Sequence, residues 1–397
     1  MKKFALAFIL CSILTCSAFS CGSSEKSSSA RESSPTVTEN TTETTAKAAT
    51  TAEAATETET EPATEPTTKV TVEYYDGLIC SDSMTEKEKE RSSFREFTLL
   101  DPAKCFSLGK RGRNSYCLDP KEFESIAKIQ DNFHELAIYD EQMDTPFLVH
   151  IITPPNYDEN KEYPVFFLTD EVFWMEFIPI MWDLIDKGEI SPVIFVTHGY
   201  EYSIDAAVNE TRVVNYTLRQ DKFLDFITDD LMKTISLNYK IDESRSVLFG
   251  HSSGGPFADY ALCNSDRYEY QPFKNYIIGS PAFCDAYYDD NPYKGDIDLS
   301  VIKDPYAFQR EFDYFERNET MDKNVFICVG EKEDIQMNCG DGDDMVEGTK
   351  KLYERLKSHG ANAELHIYEG CFHTNYLKGM LMDYLKQNFP PEDKTQN

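Results

Sequence analysis

One long stretch of the sequence, residues 22–69, lacks the large hydrophobic residues from which protein cores are built. It contains no Phe, Tyr, Trp, Leu or Ile, and Thr, Ser, Ala and Glu make up 38 of its 48 residues. Such a composition cannot bury enough apolar surface to offset the entropy that is lost when a chain becomes ordered. The absence excludes a folded domain in this stretch and predicts a disordered, solvated tether.

Basic residues are few relative to acidic ones. The spacing of the cysteines also matches no known metal-binding pattern. The chain has 39 Lys and Arg against 70 Asp and Glu, a formal net charge of −31. So acidic a chain is repelled by phosphate backbones and anionic surfaces, which excludes nucleic acid as a partner and suits neutral or cationic ligands. The 11 cysteines include no Cys-x-x-Cys pair and no zinc spacing, so no metal site is predicted.

The apolar run at the N-terminus is too short for a stable membrane span. Two lysines precede apolar residues 4–19, and the segment "SAFSCGSSE" follows, with Cys21 after small residues. This pattern is typical of a bacterial lipoprotein signal that makes Cys21 the lipid-modified residue. The alternative is an ordinary cleaved signal in which Cys21 is a bystander. We therefore expect a signal over residues 1–21, a tether over 22–69 and an extracytoplasmic protein held at the cell membrane by a lipid anchor.

The remainder, residues 70–391, has the size and aromatic content of a single α/β domain. Its lead-in, about residues 70–130, is polar and is expected to be irregular. From residue 134 to residue 389, strand-like and helix-like patterns alternate, and "YPVFFLTD" is the continuous apolar run of a buried parallel strand. This order predicts a mostly parallel central sheet with helices on both faces.

The segment "SVLFGHSSGGPFADYAL", residues 246–262, leads an apolar strand into a serine between glycines and then into a helix-like pattern. Gly250, Ser252 and Gly254 fill the pattern G-x-S-x-G, in which the serine occupies a sharp, strained turn that needs small neighbours. The Ser253 amide, at the helix N-terminus, would point to where an oxyanion forms. A tight strand-to-helix turn without chemistry is the alternative, so the assignment requires a base and an acid elsewhere.

A serine hydroxyl becomes a nucleophile only when a base removes its proton, and a histidine is the expected base. His373, in "YEGCFHTNY", lies just after the last predicted strand, where a loop reaches back over the carboxyl edge of the sheet. His198 ends an earlier strand near the same edge and is predicted to line the pocket. An orienting carboxylate is expected after the preceding strand, where "FICVGEKEDIQ" offers Glu331, Glu333 and Asp334.

Together these motifs resemble the esterase D-like branch of the α/β hydrolases, which includes enterochelin esterases, feruloyl and acetyl-xylan esterases and S-formylglutathione hydrolase. The resemblance covers about residues 147–389 and is carried by "IITPPNYDENKEYPVFFLTDE", "TRVVNYT", "GHSSGG", "IIGSP", "VGEKE" and "GCFH". It implies the α/β-hydrolase fold and ester hydrolysis with neither a cofactor nor a metal.

The resemblance also implies roles for single residues. Its acid segment places the carboxylate three residues after a glycine, which favours Glu333, with Asp334 as the second choice. It further implies a second oxyanion amide that belongs, by position, to Glu171. The sequence departs from the family at Asp170, where glycine is usual.

Arg212, in the "TRVVNYT" segment, has two open interpretations. It reaches the pocket and binds an anionic or hydroxylated part of the substrate, or it pairs with a carboxylate such as Asp221 and holds the loop. The sequence does not choose between them.

These observations predict a membrane-tethered serine esterase. In this prediction Ser252 attacks the ester, His373 acts as base and then as acid, and Glu333 orients His373. Two kinds of substrate stay open, acyl groups on plant polysaccharide and a siderophore-type small-molecule ester. An alternative from a different class is a surface binding lipoprotein that keeps the hydrolase fold without turnover, which the departure at Asp170 motivates.

Overall fold

A computed structural model of the chain describes residues 77–97, 120–170, 175–200, 208–217, 219–283, 310–333 and 345–391. The predicted signal, with Cys21, and the predicted tether lie outside the described residues, as do two predicted site residues, Glu171 and Asp334.

Within the described residues, nine strands form one sheet in the order β1-β2-β3-β5-β4-β6-β7-β8-β9. The strands are β1 Ser93–Arg95, β2 Phe133–Asp140, β3 Thr145–Ile152, β4 Val165–Leu168, β5 Ile194–Tyr200, β6 Val247–His251, β7 Asn275–Gly279, β8 Asn324–Gly330 and β9 Asn362–Tyr368. The pairings from β1 through β3 to β5 are antiparallel, and those from β5 through β4 to β9 are parallel. The prediction of a mostly parallel central sheet is therefore confirmed.

Helices connect most of these strands, as the alternating sequence pattern predicts. In the described part of the chain they are α1 Glu86–Glu90, α2 Pro120–Ala127, α3 Ile178–Asp186, α4 Val208–Thr217, α5 Gln220–Asp225, α6 Lys233–Asn238, α7 Gly254–Asn264, α8 Arg310–Arg317, α9 Met345–Ser358 and α10 Leu377–Asn388. A π-helical segment, Phe226–Met232, joins α5 to α6, and short 3₁₀ turns occupy Gln130–Asn132 and Ser265–Arg267.

Hydrophobic cores lie on both faces of the sheet, and the strand β4 shows why its sequence is apolar throughout. Phe167 points into one core, which also holds residues of α7 and α9. Phe166 and Leu168 point into the other, which holds residues of α3 and α10. Because successive side chains of a strand face opposite sides, a strand that is covered on both faces needs an apolar residue at every position.

The lead-in is more regular than its sequence indicates. The helix α1 begins with a capping box, in which the Thr85 hydroxyl accepts a hydrogen bond from the Glu88 amide and the Glu88 carboxylate accepts one from the Thr85 amide. The strand β1 then pairs with β2 at the edge of the sheet. The expectation of an irregular lead-in is therefore wrong for residues 86–95 and for the helix α2, because short helices and three-residue strands carry too little periodicity to be recognised.

None of the helices among the described residues is both long and apolar enough to cross a membrane.

The parallel strands bring the candidate site residues to one edge of the sheet. The loop after β4 carries Asp170, the turn after β6 carries Ser252, and the loops after β8 and β9 carry Glu333 and His373. Ligands of open α/β sheets bind outside this carboxyl edge.

Candidate active site

The turn between β6 and α7 holds Ser252 in an unusual backbone conformation. Its φ is +57°, a left-handed value that residues with a Cβ adopt rarely. A Cβ on Gly250 would lie 2.0 Å from the Gly254 carbonyl oxygen, and one on Gly254 would lie 2.6 Å from the Thr169 hydroxyl oxygen. Gly250 is thus required by a close backbone approach and Gly254 by a close side chain, which supports an elbow that presents the serine at the sheet edge.

Backbone hydrogen bonds tie this elbow to the neighbouring strand. The Ser252 amide donates to the Gly279 carbonyl over 3.0 Å, and the Ser252 carbonyl accepts from the amides of Gly255 and Ala282, both at 3.0 Å. Three hydrogen bonds from one residue over-determine its position, which is how a strained conformation persists in a fold.

Glu333 and His373 meet at the same edge of the sheet. The His373 Nδ1 lies 2.7 Å from Glu333 Oε2, and the Glu333 side chain is fully buried. The other carboxylate oxygen of Glu333 accepts from the Ser280 hydroxyl and from the Gly330 amide, both at 2.7 Å. Three donors on one carboxylate fix its orientation, and a bond at Nδ1 leaves the His373 Nε2 free to take a proton.

The other predicted acids differ in position. The Glu331 carboxylate accepts a hydrogen bond from the Gly370 amide over 2.7 Å, so it holds the start of the histidine loop rather than the imidazole. Asp334 lies outside the described residues. Of the predicted carboxylates, the structure thus brings Glu333 to His373, and the catalytic role of this pair stays a prediction.

Asp170 and Arg212 form a buried ion pair behind the elbow. The guanidinium Nε and Nη2 donate to the two carboxylate oxygens, the second over 2.9 Å, and Nη1 donates to the Ser253 hydroxyl over 3.3 Å. Arg212 is 8% exposed. The pairing interpretation of Arg212 is thus the better supported, but its partner is Asp170 and not Asp221, because folding brings the loop after β4 against α4.

Asp170 itself adopts a φ of +65°, and its amide donates to the Tyr216 hydroxyl over 3.0 Å. Its carboxylate neither turns to solvent nor stands unpaired, since Arg212 neutralises it. The aspartate that replaces the usual glycine at position 170 is therefore compensated by a cation of the same chain, Arg212.

His198 does not line an open pocket, contrary to the sequence prediction. Its side chain is fully buried among the rings of Phe147, Tyr200 and Phe223, with centroid distances of 4.9–5.3 Å. Neither ring nitrogen has a hydrogen-bond partner among the described residues. Burial lowers the pKa of His198 to about 3, so this histidine is a neutral member of an aromatic core cluster.

The structure adds one residue that sequence reasoning passed over. His251, the residue before the serine, is 3% exposed, and its Nε2 lies 2.9 Å from the His373 carbonyl oxygen. Burial, together with the neighbouring His373, holds the pKa of His251 well below its usual value. A neutral imidazole that faces a carbonyl must donate, so Nε2 carries the proton. Apart from its place beside Ser252, the sequence gives no signal for this contact.

Three features of this structure define the class of α/β hydrolases. They are the mostly parallel sheet, the serine elbow between a strand and a helix, and the His–Glu pair at the same edge of the sheet. The Esterase family model matches residues 141–387, and the chain belongs to this family. It is accordingly a carboxylic ester hydrolase.

One named relative and two solved structures are similar to this chain. Ferri-bacillibactin esterase BesA of Bacillus subtilis is 26% identical over 258 residues, which are 58% of this chain and 80% of that protein. An IroE-like serine hydrolase from Shewanella oneidensis is similar in structure, with a TM-score of 0.50 and 17% identity over 65% of this chain and 80% of that chain. The BES protein from Bacillus cereus has a TM-score of 0.48 and 23% identity over 65% of this chain and 95% of that chain. At 17% identity, the match to the Shewanella oneidensis structure shows the fold alone.

Proposed function

We propose that the chain is a serine esterase that uses Ser252 as nucleophile, His373 as general base and acid, and Glu333 as the orienting carboxylate. The observation that carries the proposal is the 2.7 Å contact between His373 Nδ1 and the buried Glu333 carboxylate, at the sheet edge that also carries the positive-φ serine. A histidine held in this way keeps the tautomer in which Nε2 accepts a proton.

In the proposed reaction, Ser252 Oγ attacks the ester carbonyl while His373 Nε2 takes the hydroxyl proton. The carbonyl oxygen becomes an oxyanion, which the Ser253 amide at the N-terminus of α7 stabilises together with a second amide, predicted to be that of Glu171. His373 returns the proton to the leaving alcohol, and an acyl-enzyme remains. Water, activated by the same imidazole, then releases the acyl group and restores Ser252.

Single and double substitutions test this assignment. We expect Ser252→Ala and His373→Ala each to lower kcat for p-nitrophenyl acetate by several orders of magnitude, with the double variant little worse, because residues that act as one unit are not additive. Glu333→Gln should lower kcat by up to ~10⁴, since the tautomer is then no longer enforced. Full activity in either Ala variant would refute the assignment.

A second His–Glu pair in the chain provides the control. His366 lies on β9 with its Nε2 3.3 Å from a Glu364 carboxylate oxygen, and it is exposed. His366→Ala should keep the activity of the parent, and thermal melting of every variant separates lost chemistry from lost folding.

For the substrate, we favour a siderophore-type ester over acylated polysaccharide. The curated relative is named for the ester that it cleaves, ferri-bacillibactin. Next to His373, the exposed Phe372 ring lies 5.0 Å from the Lys332 ammonium. The net charge of −31 by itself favours neutral or cationic ligands, but a local cation beside an aromatic ring suits an aromatic substrate that carries negative charge.

A panel of esters distinguishes the two substrate classes. We expect kcat/KM for a catecholate trilactone, with or without iron, to exceed the values for acetyl-xylan and for feruloyl esters. Lys332→Ala should lower kcat/KM for the anionic trilactone and leave p-nitrophenyl acetate unaffected. A preference for acetyl-xylan, with no effect of Lys332→Ala on any ester, would contradict the siderophore-type substrate and favour acylated polysaccharide.

We also propose that the enzyme works outside the cytoplasm, tethered to the membrane through a lipid on Cys21 and held away from it by residues 22–69. The "SAFSCGSSE" segment and the composition of the following stretch support this location. Cys21→Ser should abolish lipid labelling and shift the protein from the membrane fraction to the soluble fraction. Unchanged partitioning of that variant would rule out the anchor.

A further inference from the structure

His251 joins two segments that lie 122 positions apart in the sequence, the serine elbow and the histidine loop. Its Nε2–H donates to the His373 carbonyl over 2.9 Å. The two imidazole rings also pack against each other, with 4.6 Å between their centroids and 46° between their planes. The strand β7 closes the other side, since a Cβ on Gly279 would lie 3.1 Å from the His251 ring. His251 therefore lies between the serine elbow and the histidine loop, and the reaction requires these two segments to be placed correctly relative to each other.

We propose that His251 is a positioning residue, which sets the place of the His373 imidazole relative to Ser252 by holding the His373 backbone carbonyl. The inference rests on the proposed function and deepens it.

Two contacts on opposite ends of His373 are needed to fix it. Glu333 holds the ring through Nδ1, but one bond at the ring leaves the residue free to pivot about that nitrogen. The neighbours Phe372, Thr374 and Asn375 are exposed, and the bond from the Phe372 amide to the Asn375 side chain holds the loop without fixing the His373 carbonyl. The His251 bond restrains the backbone end of the same residue, and a misplacement of about 1 Å in such a group can lower a rate by ~10².

The chemistry of His251 suits this task. A neutral imidazole offers one rigid N–H donor and places no second charge beside the His373 imidazolium that forms during the reaction. Lysine or arginine would also donate to a carbonyl, but either would bring a positive charge to within contact of that imidazolium and oppose its formation.

Two substitutions separate the hydrogen bond from the packing. His251→Phe keeps a ring of similar shape and removes the donor, whereas His251→Gln keeps an N–H at the same distance from the backbone and removes the ring. We expect kcat for p-nitrophenyl acetate to fall by roughly 10–10² in His251→Phe, with KM within about threefold of the parent. His251→Gln should recover most of that loss. Equal impairment of both variants, or full activity of His251→Phe, would overturn the proposal.

A spectroscopic readout tests the positioning directly, without turnover. The proton between His373 Nδ1 and Glu333 should give a far-downfield proton NMR signal in the parent and in His251→Gln. In His251→Phe we expect this signal to broaden or shift, because the imidazole is no longer held at its backbone end. An unchanged signal in folded His251→Phe would contradict the proposal, and His251→Leu supplies a second donor-free variant if the Phe variant does not fold.

Failure of this inference can be told from failure of the proposed function. If Ser252→Ala keeps its turnover, the proposed function is wrong whatever the His251 variants show. If Ser252→Ala is inactive while His251→Phe is as active as the parent, the proposed function stands and only the role of His251 is rejected.

Discussion

The carboxylates of Glu333 and Asp170 are both buried at the carboxyl edge of the sheet, but different contacts stabilise them. This difference predicts how each responds to substitution. Glu333 accepts from two neutral donors and from His373. Asp170 takes its one opposite charge among these contacts from the Arg212 guanidinium, and the Tyr216 hydroxyl is hydrogen-bonded to its amide and its side chain. A buried charge that loses its partner is far more destabilising than the loss of the whole pair, because the remaining charge stays desolvated.

For the Asp170–Arg212 pair we therefore expect strong coupling. Arg212→Met should lower the free energy of unfolding by about 3–5 kcal/mol, since the buried Asp170 carboxylate is left without its cation. Asp170→Asn removes the charge but keeps a residue that tolerates a positive φ. The double variant should be more stable than Arg212→Met alone, as measured by denaturant unfolding. Additive losses, with the double variant the least stable of the three, would show that the two side chains do not depend on each other.

At this scale the sequence predicts positions better than partners. The predictions of Ser252 and His373 follow from their places after predicted strands, because such places fix where a loop leaves the sheet, and the choice of Glu333 among three acids follows from the family resemblance. Arg212 pairs with a carboxylate 42 positions away, and His251 donates to a backbone carbonyl 122 positions away. Which of several acids or carbonyls such a side chain meets is decided by packing, and packing leaves no local pattern in the sequence.

Among the elements, the passage from β6 to α7 is the most constrained. The strand ends at His251 and the helix begins at Gly254, so the chain reverses within two residues. Close approach of the Gly254 carbonyl to Gly250 and of the Thr169 hydroxyl to Gly254, rather than the size of the serine, sets the requirement for glycine on both sides.

Two alanine substitutions test this requirement against a matched control. Gly250→Ala places a methyl group 2.0 Å from the Gly254 carbonyl oxygen, so we expect loss of soluble protein or a large drop in melting temperature. Gly379, in α10, has open space around its missing Cβ. Gly379→Ala should therefore stabilise the protein by up to about 1 kcal/mol, because alanine loses less backbone entropy in a helix. A Gly250→Ala variant as stable as the parent would mean that the elbow is looser than described.

The sheet strands and the long helices are predictable because they contain enough residues for the spacing of their apolar side chains to be recognised. The burial of every residue in β4 and the apolar stripes of α9 and α10 follow from the sequence pattern. The edge strand β1 does not, since three residues carry no distinct period. The π-helical segment Phe226–Met232 is likewise hidden within "KFLDFITDDLMKTI", whose apolar spacing predicts one uninterrupted helix.

For the molecule as a whole, acidic charge is the dominant electrostatic feature, and part of it is buried. Carboxylate oxygens of Glu88, Asp140 and Asp230 lie within 4.8 Å of one another, between α1, β2 and the π-helical segment. Burial, with the neighbouring carboxylates, raises the pKa of Asp140 and of Asp230 to about 6. Lys222 opposes this shift at Asp140 by its positive charge.

These raised pKa values predict a pH-dependent contribution to stability. A carboxyl group whose pKa is higher in the folded state contributes stability that is fully present below its unfolded pKa, near 4, and is lost as the pH rises through about 6. Asp140→Asn should therefore raise the melting temperature relative to the parent at pH 7.5, by about 2 °C for each kcal/mol, and leave it unchanged at pH 4. Exposed Asp131→Asn serves as the control, and a benefit that is equal at both pH values would contradict the account.

The central claim, that Ser252 is the nucleophile of this esterase, is tested most directly by covalent labelling. A fluorophosphonate probe reacts with a serine only when a base activates it, and mass spectrometry of the labelled peptides locates the adduct. We predict one adduct per chain, on Ser252, together with loss of activity towards p-nitrophenyl acetate in proportion to labelling. Protein that hydrolyses the ester but carries no adduct on Ser252, or carries it on another residue, would contradict the account.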